Sequence, residues 1–124
     1  MGLDFAGFDL GWSYSSFHNF RILLARAIGY TGKDLKDVRF FAFPMHDPKE
    51  WTVRQMIDPI FPLLIHSDCE GEIEAEGCAI IAPRLREIAS GWPDDDDCGH
   101  KERAIQLADA METCAREDRP LEFC

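Results

Sequence analysis

Ile80–Glu117 reads IIAPRLREIASGWPDDDDCGHKERAIQLADAMETCARE, and the spacing of its apolar residues decides the fold class. Ile80, Ile81, Leu85, Ile88 and Ala89 recur at helical spacing, with Gly91 as the stop. Pro83 sits inside that pattern and lacks the N–H a helix interior uses, so the spacing predicts a break or kink with a restart there. Ala104, Leu107, Ala108, Met111 and Ala115 share one face of a second helix, roughly His100 to Glu117, which Pro120 ends. Trp92-Pro93 and the run Asp94–Asp97 form the loop between them, its acids suiting the positive end of the following helix.

Working outward, Phe17, Phe20, Leu24 and Ala27 define a further helix. Ser15 or Ser16 is its expected cap, Arg26 lies in its last turn and Gly29 is its stop. Gly2 to Tyr14 reads as an extended segment packed on the domain. Lys33 to Asp37 suggests a helical turn, and Val38–Phe43 is rich in strand formers and closed by Pro44. Asp47-Pro48 opens a short helix with Trp51, Val53 and Met56 on its buried side. Pro59 and Pro62 make Ile60 to Ile65 a kinked helix or buried connector, and Leu121–Phe123 returns as a short strand. No repeat or linker divides the chain. The expectation is a mainly α, small single-domain helical fold over residues 1–124, with minor β content near 38–43 and 121–123.

Composition narrows the function classes. The 124 residues carry 13 Lys plus Arg against 23 Asp plus Glu, a formal net charge of −10. Phosphate neutralisation needs a basic surplus, so nucleic acid is excluded as a partner, and an anionic membrane surface is disfavoured for the same reason. With 46% hydrophobic residues, nine Phe and three Trp, the chain can fill a core and is not disordered. That aromatic content also allows a homodimer, because it can exceed what one small core hides. The opening MGLDFAGFDL has acids where a signal peptide needs basic residues, and no apolar run reaches a membrane span. Five cysteines, an odd number with no export signal, fit free thiols in a reducing, cytoplasmic setting.

One stretch gathers chemically versatile groups: Leu63-Leu64-Ile65-His66-Ser67-Asp68-Cys69-Glu70-Gly71-Glu72. As a calcium loop it puts Gly71 at the sixth position, Asp68 at the third and Glu70 at the fifth. His66 and Gly77 then displace two main ligands. As a zinc site it offers His66 and Cys69, with Cys78, Cys98 and His100 further on, but no Cys-x-x-Cys pair. As a nucleophile, Cys69 has His66 as base and Asp68 to orient it, yet Asp68, Glu70 and Glu72 push a thiol's pKa the wrong way. A turn without chemistry is the preferred reading. In it Gly71 supplies a positive φ, and His66 bonds backbone at the end of the connector. The metal candidates are thus His66, Asp68, Cys69 and Glu70, for zinc or calcium, and the preferred reading holds no cofactor.

Candidate ligand-binding residues are Tyr14, Arg21, His66, Asp68, Glu72 and Arg84, a set in which tyrosine and arginine can grip a polar ligand. For Phe17 the plainer reading is core. For Arg21 it is a surface or salt-bridging position, and for Arg84 pairing with Glu87 or nearby acids. Cys78, inside an apolar helical pattern, reads as packing.

Tyr14-Ser15-Ser16-Phe17 with Phe20-Arg21, the HSDCEGE segment His66–Glu72, Ala82–Glu87 (APRLRE) and the ending Pro120-Leu121-Glu122-Phe123 carry a resemblance. The chain resembles a family of short, uncharacterised bacterial and phage proteins. That resemblance implies a phage or mobile-element setting, in which small accessory proteins bind or block a host component. The resulting expectation is an intracellular accessory protein that binds a host protein or a small, nucleotide-like ligand without catalysis. The alternative is a metal- or thiol-dependent enzyme using His66, Asp68 and Cys69.

Overall fold

The computed structural model describes residues 2–29, 52–64, 66, 70–94 and 99–124. The element order is β1 (Gly2–Asp4), β2 (Gly11–Ser13), α1 (Tyr14–Ala27), α2 (Val53–Met56), α3 (Phe61–Leu64), β3 (Glu72–Ile73), α4 (Ala75–Ser90), α5 (His100–Glu117) and β4 (Leu121–Glu122). This is a small, mainly α, single-domain fold with two short antiparallel strand pairs.

The α4–α5 hairpin is its largest unit. Cys78, Ile81, Ala82, Leu85, Ile88 and Ala89 of α4 are buried, as are Ala104, Leu107, Ala108, Met111 and Cys114 of α5. The bounds of α5 coincide with those its apolar spacing predicts. Its end is set by Asp118 at φ 52, whose N–H bonds Ala115 O at 3.4 Å. Contrary to the expected break, α4 runs through Pro83 as one helix. Ala79 and Pro83 both lie on the exposed side, so the carbonyl freed by the missing N–H faces water. Ile80, counted in the apolar stripe, is 60% exposed.

The N-terminal segment is not merely extended; it is a strand pair. Gly2, Leu3 and Asp4 oppose Ser13, Trp12 and Gly11. Nor do Ser15 or Ser16 cap α1: Ser13, the last residue of β2, has extended backbone and accepts from Ser16 N at 3.2 Å. Strand therefore runs directly into helix. Phe17, Phe20, Ile22, Leu24 and Ala25 turn inward, and Trp12 stacks on Phe20 with ring centroids 5.0 Å apart. Phe5 packs edge-on against Trp12 and Phe123. Every described Phe and Trp is buried or half-buried, and the most exposed large apolar side chains are the aliphatic Val53, Ile57 and Ile80.

The expected strand at 38–43, the turn at 33–37 and the Asp47-Pro48 helix start lie outside the described residues, as does Trp51. Described helix α2 begins later, with a reciprocal cap in which Gln55 N donates to Thr52 Oγ1 and Thr52 N to Gln55 Oε1. Its buried residue is Gln55, which also donates to Ile28 O at 3.4 Å, while Val53 is 70% exposed rather than inward. Of the expected connector, Ile60, Leu63 and Leu64 are at 0% exposure, with α3 (Phe61–Leu64) within it; Ile65 lies outside the described residues. Strand β4 forms where expected and opposes β3, Glu72 to Glu122 and Ile73 to Leu121. The Phe5–Phe123 bridge then joins the two strand pairs, with Cys124 N donating to Asp4 O at 2.9 Å.

Candidate functional site

Arg21 stands on the inner face of α1 and is 1% exposed, so it is not a surface residue. Its position follows from the helix period: Phe17, Phe20, Arg21 and Leu24 share one stripe. Nη1 donates to Leu64 O at 3.1 Å and to His66 O at 2.5 Å, and the guanidinium lies 4.4 Å from the centroid of the Phe17 ring. One NH2 group of the guanidinium supplies both donor hydrogens, while its planar body lies over the Phe17 ring, a stacked placement that Lys does not reproduce. Arg21 thus fastens the end of the α3 connector to α1.

His66 continues that seam. Its Nε2 and Glu72 O are 3.1 Å apart, and its ring stacks on Phe123 with centroids 4.0 Å apart. Gly71 closes the turn at φ +88, and a Cβ there would lie 3.3 Å from His66 Cε1. Phe123 N donates to Gly71 O at 2.9 Å, tying the turn to the C-terminal strand. The positive φ at Gly71 and the backbone contact of His66 match what the sequence predicts for these two residues.

Of the sequence candidates, the structure brings Arg21, His66 and Glu72 into one chain of contacts through backbone carbonyls. The Glu72 carboxylate itself is exposed on β3, and Tyr14 begins α1, half-buried. Asp68 and Cys69 lie outside the described residues; Glu70 is exposed. Arg84 lies elsewhere. Its Nε and Nη2 meet Asp58 Oδ1 and Oδ2 at 3.1 and 2.9 Å, and it also pairs with Glu87. The hydrogen bonds to Asp58, helped by Glu87, raise its pKa further. Among the described residues no group of three His, Cys, Asp or Glu side chains is arranged to hold a metal.

Other cations are similarly engaged. Arg86 bonds Glu112 at 2.7 and 3.1 Å and pairs with Asp109, which raises the Arg86 pKa and lowers that of Glu112. Lys101 holds Asp94 at 2.6 Å, and Arg119 holds Glu117 at 2.7 Å while lying over Phe8. What the sequence did not single out is an open groove of about 290 Å³ lined by Glu72, Glu74, Ala75, Glu76, Asp118, Arg119 and Pro120. Its acids come from β3, the start of α4 and the end of α5, segments 42 or more residues apart between Glu76 and Asp118. Alternating Glu at 70, 72, 74 and 76 was the available signal.

No protein-family model, curated protein or solved structure matches the chain. No described helix is long and apolar enough to cross a membrane.

Proposed function

We propose that the protein is a small binding module without catalysis of its own, and that its partner is a protein presenting basic side chains to the acidic groove. The observation that carries this reading is the division of charge. Arg21, Arg84, Arg86, Lys101 and Arg119 all bond within the fold, while Glu72, Glu74, Glu76 and Asp118 stay exposed around one groove. Acids so placed steer and orient a cationic surface. A nucleotide-like ligand fits less well, since Arg21 and Arg84, the arginines that would hold its phosphates, face Leu64 and His66 carbonyls and Asp58. The resemblance to short, uncharacterised bacterial and phage proteins, with the mobile-element setting it implies, favours a host protein as that partner.

Capture from host lysate by the wild type and by a Glu72→Lys, Glu76→Lys double variant tests it. A protein held by the wild type and weakened at least about tenfold by the reversal, with the melting temperature preserved, is the expected result. Equal capture by both, or a small molecule found on the purified protein in place of a protein partner, overturns it.

A further inference from the structure

Beneath the groove lie two cysteines that none of these roles uses. Cys78, one turn into α4, and Cys114, in the last turn of α5, are both at 0% exposure. They lie on the facing buried sides of the packed α4–α5 pair, near enough for each thiol to influence the other's ionisation. Cys78 Sγ donates to Ile73 O and Cys114 Sγ to Pro120 O, each at 3.6 Å, and Cys78 also meets the Leu121 backbone. Ile73 and Leu121 are themselves partners in the β3–β4 pair. Both sulfurs therefore converge on the short segment Pro120-Leu121, directly under the acids of the groove.

We propose that Cys78 and Cys114 form a redox-active dithiol, closed to a disulfide by hydroperoxides and reopened by small thiols. The step balances: two thiols and one hydrogen peroxide give one S–S bond and two waters. Cys114 reacts first. Its thiolate attacks the peroxide and becomes a sulfenic acid with loss of one water, and Cys78 then attacks that sulfur and expels the second. Burial raises both thiols, Cys78 to about 11, but at Cys114 the Arg119 guanidinium offsets part of that rise, and no cation does so at Cys78. Access requires local opening of the two-residue strand β4 and the last turn of α5. Slow closure follows from that burial. The bridge ties the start of α4 to the end of α5, the two walls of the groove, and its chemistry stands whether or not the groove binds a partner.

The test uses the full chain with Cys69→Ser, Cys98→Ser and Cys124→Ser, leaving only this pair, after its helicity and melting temperature are matched to wild type. Hydrogen peroxide is expected to remove about 2 Da, and peptide mapping to join Cys78 to Cys114. The melting temperature is expected to rise by about 5–10 °C and to return with dithiothreitol. Mapping of peroxide-treated wild type supplies the same bridge without relying on the variant's folding. Two thiols that still alkylate after oxidation and unfolding overturn the proposal. So does a gain of about 32 Da on Cys114 with no bridge formed.

Discussion

Arg21 and Arg86 show two uses of the same side chain in one small fold. Arg86 lies on the surface of the α4–α5 hairpin, its side chain 34% exposed, facing carboxylates that are 43% and 63% exposed. Arg21 is enclosed, and its Nη1 bonds carbonyls 43 and 45 residues along the chain. The hairpin would keep its apolar interface without Arg86, because helix packing supplies its stability. The α1–connector seam also buries Leu63 and Leu64, but Arg21 adds hydrogen bonds there that packing cannot replace. Removing the guanidinium leaves buried carbonyls unbonded, and no apolar replacement can satisfy them.

The largest expected effect is therefore at Arg21. Arg21→Met should lower stability by about 3–5 kcal/mol in urea or guanidinium unfolding, and Arg21→Lys should recover little of it. Next comes Gly71→Ala, where a side chain must adopt φ +88 and crowd His66. A loss of about 1–3 kcal/mol is expected by the same measurement. At the surface, Arg86→Ala should cost less than about 1 kcal/mol, and added salt should shrink even that. A loss of 3 kcal/mol there would erase the contrast between the two arginines.

The dithiol sharpens the comparison on a pH axis. Burial, then the neighbouring Cys114, raises Cys78 from 9.0 to about 11, so its ionised form is disfavoured in the folded state. Below pH 9 the thiol is neutral in both states and the contribution is intact. Between about 9 and 11 the unfolded chain ionises while the folded one does not, and stability falls. Thermal melts across that range should show the decline, and Cys78→Ala should flatten it. Glu112 works in the other direction. Its depressed pKa adds stability at neutral pH that disappears as pH falls through its folded value, a small effect that Arg86→Ala should abolish.

How much could be read beforehand divides along the same line. Helix α5 and the end of α1 were legible because periodicity and stop residues are local properties, and Leu121–Phe123 was legible from its apolar alternation after Pro120. Gly71 was legible as a positive-φ turn. Arg21 was not legible as a tie to the connector, since Leu64 O and His66 O are backbone carbonyls, which carry no residue signature. The β1–β2 pair escaped because three-residue strands are too short to show a period, and their ten-odd residues contain no Asn-Gly turn. The continuity of α4 through Pro83 escaped because it depends on which side of the helix faces water. Within the site, the seam at His66 was readable as a turn, whereas its stacking on Phe123 joins residues at opposite ends of the chain's second half.

The most direct measurement pairs stability with partner capture for His66→Ala. If His66 is architecture, the variant loses about 1–3 kcal/mol through the lost Glu72 bond and Phe123 stack, and still captures the same partner below its melting temperature. An unchanged melting temperature together with lost binding, lost metal or lost activity would contradict the account and return the HSDCEGE segment to chemistry.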